Sequence, residues 1–265
     1  MHIIVLIKQV PEIEKVKFNY EKGHLDRGSA AAVINPFDLN ALEAAVQLKE
    51  NLGGIVTAVS MGPRQAENSL KDAVARGADR AVLLNDQRFA GSDTLATSYT
   101  LASAIKKLGA FDLVICGEKT VDGDTAQVGP EVAEFLSIPH VAYVDEIKDV
   151  KENKITVKSR MEKNYYIIEL VLPALITVTK DANTPRLPTF RDKLKARKTD
   201  VTVWSAADLA STDQINYFGS TGSPTSVVKI YAPSTEKRRC QIIEGPPETV
   251  AKKIVGVLRE IKALK

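Results

Sequence analysis

The sequence is poor in the residues from which metal centres and disulfide frameworks are built. Two cysteines, Cys116 and Cys240, and three histidines, His2, His24 and His140, are scattered through 265 residues. Neither cysteine has a cysteine or histidine close to it in sequence, which argues against a zinc site or a disulfide scaffold. No apolar run approaches the roughly 18–20 residues that span a bilayer, so membrane insertion is not expected. The opening MHIIVLIKQVPE sets its apolar run directly after Met1, without a basic stretch or a small-residue cleavage site, and the expectation is a soluble, cytoplasmic protein. The spacings Gly-x-Gly-x-x-Gly and Gly-x-x-x-x-Gly-Lys-Ser/Thr are both missing, which speaks against a standard Rossmann dinucleotide site and a P-loop. No histidine accompanies a serine or cysteine nucleophile motif, so any chemistry has to be supplied by a cofactor.

Charge of either sign is nearly balanced, 36 basic against 33 acidic residues, but unevenly spread. Residues 180–200 hold Lys180, Arg186, Arg191, Lys193, Lys195, Arg197 and Lys198 against Asp181, Asp192 and Asp200, a net of +4. That stretch has no interleaved aromatics beyond Phe190 and matches no nucleic-acid motif, so it reads as a solvated or partner-facing arm, with no nucleic acid as partner.

Hydrophobic residues make up 44% of the chain, enough for a full core. Short, continuously apolar runs recur at 3–7 (IIVLI), 55–61 (IVTAVSM), 80–85 (RAVLLN) and 112–117 (DLVICG), as parallel strands covered on both faces require. Helix patterns lie between them. One opens at Asn35-Pro36, with Asn35 as N-cap and Asp38 near the positive end of the dipole; a second runs from Gly62-Pro63 to Gly77, a third from Ser92-Asp93 to Gly109, and a fourth from after Asp124 to before Pro139. This alternation predicts an α/β fold with a doubly wound, mostly parallel sheet. Residues 155–159, 165–172 and 174–180 read as antiparallel or edge strands added to that sheet. The expected organisation is a 1–180 nucleotide-binding core, a 181–200 recognition loop, and a 201–265 C-terminal arm holding a strand VVKIYA (227–232) and a helix from Pro246-Pro247-Glu248. Both long, turn-rich segments, 181–200 and 210–226, suit partner-binding extensions.

Three polar segments fall beyond strand ends on one edge of this sheet. GEKTVDGDTAQVGPE (117–131) combines Gly117, Gly123 and Gly129 with a following helix, as a phosphate-holding turn does; it reads equally as a capped strand-to-helix turn with Asp124 as N-cap. Asn35 to Asp38 read first as an efficient helix start. Asp93, Thr94 and Thr97 open the third helix in the same way. Cys116, at a strand end, reads as a small core residue.

The sequence resembles the β subunit of electron transfer flavoprotein. The resemblance rests on VLIKQVP, INPFDLNALEAAVQLKE, AVSMGPRQAE, ARGADRAVLL, FDLVICGEKTVDGDTAQVGPEVAEFL and LPALITVTKDANTPRLPTFRDKLKARK, which come in family order over nearly the whole chain. It implies a heterodimer with a flavin-bearing α subunit, and no active site of the classical kind on this chain. The nucleotide-binding positions it implies are Leu6, Asn35, Pro36, Phe37, Asp38, Met61, and the run Gly117, Glu118, Lys119, Thr120, Val121, Asp122, Gly123, Asp124, Thr125, Ala126, Gln127 and Val128. It also implies a loop around Leu194, with Arg191 and Lys195, that recognises acyl-CoA dehydrogenase-type flavin dehydrogenases, and assigns 210–226 to an arm that embraces the α subunit. Members serving oxidative metabolism hold structural AMP; electron-bifurcating members, tied to anaerobic metabolism, hold a second FAD that takes hydride from NADH and divides its electrons between ferredoxin or flavodoxin and the α-subunit flavin. DGDTAQVGP and FAGSDTLAT resemble the second group, where Thr94 or Thr97 would donate hydrogen bonds to a flavin. The alternatives are an AMP-bearing β subunit and, from another class, a nucleotide sensor of universal-stress type, whose glycine-spaced phosphate loop is missing here.

Overall fold

The computed structural model describes residues 1–12, 17–19, 24–26, 32–210, 212–226, 228 and 242–263. The first half runs β1 (His2–Leu6), β2 (Gln9–Pro11), β3 (Lys17–Asn19), β4 (His24–Asp26), β5 (Ala32–Ile34), α1 (Pro36–Leu52), β6 (Ile55–Met61), α2 (Glu67–Ala75), β7 (Arg80–Leu84), α3 (Thr94–Leu108), β8 (Leu113–Gly117) and α4 (Val128–Leu136). The second half adds β9 (His140–Lys151), β10 (Lys154–Met161), β11 (Asn164–Val171), β12 (Ala174–Val178), α5 (Phe190–Arg197), β13 (Thr202–Trp204), α6 (Ala206–Leu209) and α7 (Pro247–Glu260).

Nine strands form one sheet in the order β11-β10-β9-β12-β8-β1-β6-β7-β13. From β9 through β13 every neighbouring pair is parallel, while β9, β10 and β11 form an antiparallel meander at one edge. The fold is the doubly wound α/β architecture that the alternation of apolar runs predicts, with antiparallel strands added. Alternate residues of each parallel strand enter opposite layers, which is why the runs are apolar at every position. Ile3, Val5, Val56, Ala58, Leu113 and Ile115 pack with Leu42 of α1 and Leu70 of α2. Ile4, Leu6, Val59, Leu84 and Val114 pack with Leu101 and Ile105 of α3 and Val132 of α4. Fully burying one such aliphatic side chain contributes about 1.5–3 kcal/mol.

The sequence reading departs from the structure in three places. The twelve-residue β9 has no counterpart in it, because Asp145, Glu146, Lys148, Asp149 and Lys151 break the apolar pattern of a strand with one solvated face. β12 is a central parallel strand between β8 and β9, not an edge; all five of its residues are buried, the signature of two covered faces. β13, in the segment assigned to the C-terminal arm, pairs with β7 and closes the other edge of the sheet.

Helix ends are legible but not always for the expected reason. Gly77 has φ +119° after α2, and Gly109 has φ +89° after α3, conformations that favour glycine. Asp93 caps α3 by accepting from the Ala96 N–H at 3.0 Å. Asn35 precedes α1 as expected, yet its side chain makes no capping bond.

The described chain divides into two units, Met1–Val228 and Lys229–Lys265. The second contains α7, opened by Pro246-Pro247 as the sequence predicts. The expected strand VVKIYA and Cys240 lie outside the described residues, apart from Val228. Among the described residues, no helix is long and apolar enough to cross a membrane, and no cluster of three or more His, Cys, Asp or Glu side chains could hold a metal ion.

Candidate functional site

The winding of the sheet reverses between β1 and β8: the chain leaves β1 toward β6 and β7, and leaves β8 toward β12 and β9. In open α/β sheets such a switch point leaves a crevice at the carboxyl ends of the strands. A cleft of about 750 Å³ lies there. Leu6, Asp38, Met61, Asp93, Thr94, Thr97, Gly117, Glu118, Lys119, Thr120, Gly123, Thr125, Ala126, Gln127 and Val128 all line it. The other positions carried over by resemblance, Asn35, Pro36, Phe37, Val121, Asp122 and Asp124, are not among its lining residues.

A polar clamp at the start of α1 holds the two strand ends. Asp38, 4% exposed, accepts from the Lys8 N–H at 2.8 Å and from the Gly117 N–H at 3.0 Å. Asn35 donates to the Lys119 carbonyl at 2.9 Å and accepts from the Val121 N–H at 3.1 Å. These bonds tie the Asn35 amide to the loop beyond β8 while it also bonds to the Asp38 side chain, so 35–38 is more than a helix start. Burial pushes the Asp38 carboxyl up to about 7 against the lowering effect of those hydrogen bonds. Gly117 is required by the same closeness, since a Cβ there would meet Asp38 Oδ1 and Phe37 Cβ at 2.6 Å. Burial likewise pushes the neighbouring Cys116 thiol up, as suits an inert core residue.

The loop from β8 to α4 does not take the capped-turn form. α4 starts at Val128, four residues beyond Asp124, and its N-cap position is Gln127, without a side-chain capping bond. Asp124 has φ +53° and pairs with Lys119 at 2.8 Å, while Asp122 pairs with Lys8 at 2.8 Å. Both carboxylates that would repel an anion are therefore matched by lysines. Ala126 has φ +56° and Gln127 follows in the right-handed helical region. Such a left–right pair turns successive N–H groups into a concavity suited to an anion, and the first N–H groups of α4 lie next in the chain with the positive end of its dipole. Gly129 fits close against the sheet, because a Cβ would meet Thr177 Cγ2 at 2.5 Å.

The opposite wall comes from α3 and from a segment far along the chain. The Asp93 carboxylate accepts from Ala96 N–H and from the Thr225 N–H and hydroxyl, the last at 2.9 Å, and its own N–H donates to Ser223 Oγ. Its acceptor sites are thus engaged within the chain. Thr94 donates to Glu131 Oε1 at 3.3 Å and Ser98 to Glu131 Oε2 at 2.9 Å, joining α3 to α4. Phe218 is buried against Phe89 and Tyr99, so 212–226, expected as part of a partner-embracing arm, packs within its own unit and contributes Thr225 to the cleft. Ile7, Lys8, Phe89, Gly91, Leu101 and Thr225 line the cleft without having been singled out by sequence. Lys8 carried a signal in its place directly beyond β1; Thr225 carried none.

The basic segment 181–200 is anchored and partly helical, not a loop throughout. Asn40 and Asn183 exchange side-chain hydrogen bonds with each other's carbonyls at 2.8 and 2.9 Å. Arg186 pairs with Glu43 at 2.8 Å and Glu50 at 2.6 Å, and its carbonyl accepts from Arg76 at 2.7 Å. The capping box of Thr189 and Asp192 starts α5. Leu194 sits on that helix at 42% exposure beside Arg191 and Lys195, whereas Leu187 and Phe190 are 84% and 78% exposed.

A doubly wound α/β protein whose cleft lies at the sheet's switch point, walled by a glycine-bearing turn, is the class these features define. The electron transfer flavoprotein domain matches residues 22–209. The chain is 43% identical to the electron transfer flavoprotein subunit beta of Clostridium acetobutylicum over 260 residues, 98% of each protein. It is 45% identical to that of Megasphaera elsdenii over 240 residues, 88% of each, and 43% identical to Protein FixA of Azorhizobium caulinodans over 250 residues, 92% of this chain and 89% of that one. The chain belongs to the electron transfer flavoprotein β-subunit family.

Proposed function

We propose that this chain, paired with a flavin-bearing α subunit, binds FAD in the switch-point cleft and serves an electron-bifurcating electron transfer flavoprotein. The observation that carries the reading is the extent of the cleft. It runs from the turn at Ala126–Gly129 to a second wall of Phe89, Thr94, Thr97 and Leu101, with a volume of about 750 Å³. The residues fit such a ligand: the turn and the start of α4 suit a pyrophosphate, the apolar second wall suits a ring system, and Thr97 offers it a hydroxyl. FAD bound there would supply two-electron and one-electron redox chemistry that no side chain of the site provides. The chain's own part is to orient it through the turn, to keep water from its inner face with Leu6, Met61 and Leu101, and to tie the ends of β1 and β8 together through Asn35 and Asp38. NADH is the proposed hydride donor, with ferredoxin or flavodoxin as one acceptor and a flavin dehydrogenase of acyl-CoA dehydrogenase type, reached through the α subunit, as the other. Anchored on α1, the 181–200 segment offers that dehydrogenase an apolar contact at Leu187, Phe190 and Leu194 amid Arg191 and Lys195. Support comes also from the similarity to the Clostridium and FixA proteins.

Nucleotide content tests the reading. Co-expressed with its α subunit, purified and extracted with acid, the heterodimer should release two FAD and no AMP. One FAD with one AMP would overturn bifurcation and leave a structural nucleotide in single-path electron transfer.

A further inference from the structure

We infer that Asp38 is a positioning residue that links nucleotide binding in the switch-point cleft to the uptake of one proton, because its carboxyl spans the ends of β1 and β8 from the cleft floor. The inference rests on the nucleotide reading above and concerns how the site responds to pH. One oxygen accepts from the Lys8 N–H and the other from the Gly117 N–H. The Asn35 side chain bonds to the same carboxyl, which lines the cleft floor. The charged and titratable groups around it come from the neighbouring elements: Lys8 beyond β1, already paired with Asp122; the neutral Cys116 thiol on β8 and Glu118 beyond it; and Lys119, paired with Asp124. Both lysines pair with other carboxylates, and among the described residues Asp38 forms no ion pair, although the Lys8 charge still acts on it.

The free carboxyl therefore changes charge close to neutral pH, at about 7. A nucleotide covering the floor removes the remaining solvent and brings phosphate charge nearby, and both effects favour the neutral acid. Binding then takes up a proton at one carboxyl oxygen. The protonated acid gains an O–H to donate while the two backbone N–H groups keep their acceptors, so the strand ends stay in place.

The test uses the full chain with its α subunit, stripped of nucleotide, and AMP as the probe. Affinity is measured at pH 6 and pH 8 for the parent protein and for Asp38→Asn. AMP's own phosphate ionises near 6 and contributes equally to both proteins. The parent should lose about tenfold more affinity across that interval than the variant, as displacement of one proton equilibrium implies. Equal slopes, with AMP bound, would overturn the linkage alone. No AMP binding at either pH would overturn the nucleotide reading together with it. Should Asp38→Asn fail to fold, calorimetry on the parent at pH 7.5 in two buffers of different ionisation enthalpy decides the matter: net proton uptake is expected, and zero or net release would refute it.

Discussion

Gly117 and Gly123 sit six positions apart in one turn, yet they answer to different constraints. Gly117 is pressed against Asp38 and Phe37, whereas a Cβ at Gly123 would meet only Thr120 Oγ1, at 3.2 Å. Gly117→Ala should therefore cost about 1–3 kcal/mol of folding stability by overpacking, read as a lower midpoint in thermal or urea unfolding. Gly123→Leu should leave that midpoint nearly unchanged and instead lower the nucleotide retained on purification. Full occupancy in the leucine variant would refute the placement of the turn against the ligand. Sequence alone marked both glycines as permissive and could not tell them apart, because the neighbour of Gly117 is α1, some eighty residues earlier in the chain. Asn35 and Asp38 were hidden in the same way: a helix start explains them locally, and only closure of β1 against β8 turns them into a clamp.

The segment from Asn183 to Arg197 shows how one element can be misjudged from composition. Its charge and prolines predict a solvated arm, but Arg186 reaches Glu43 and Glu50 of α1 while Asn183 bonds to Asn40. Glu43 is buried, and its arginine partner holds its carboxyl below the usual carboxylate range. Arg186→Ala would leave that charge unpaired and should cost about 2–3 kcal/mol near neutral pH. A carboxyl with a depressed folded-state value stabilises above its ordinary value and loses that contribution as pH falls through the folded one. The deficit of the variant should therefore shrink in acid. Hydrogen exchange should show lost protection from residue 183 through α5. Phe190→Ala, at an exposed position, should leave unfolding unchanged and weaken docking of the proposed dehydrogenase partner. An equal loss of docking and stability in both variants would contradict separate anchoring and contact roles.

For the molecule as a whole, every strand of the nine-stranded sheet, every cleft residue and the Phe218 plug fall within Met1–Val228. A chain ending at Val228 should accordingly keep a cooperative unfolding transition and the proposed pH-dependent AMP binding; loss of either would show that the last 37 residues contribute to the core. The four parallel strands β1, β6, β7 and β8, their order along the chain and most helix ends were readable in the linear sequence. Each depends on nearest neighbours: two-sided burial makes a strand apolar at every position, and caps and left-handed glycines act within one turn. The central place of β12, the pairing of β13, the Asn35–Asp38 clamp, the Asp93–Thr225 tie and the anchoring by Arg186 were not readable, since each joins groups 79 to 143 residues apart or depends on which strand lies alongside. No local pattern encodes such a partner. It is selected when the sheet winds outward in both directions from β1 and brings distant strand ends to one edge, where buried polar groups must find partners within the chain.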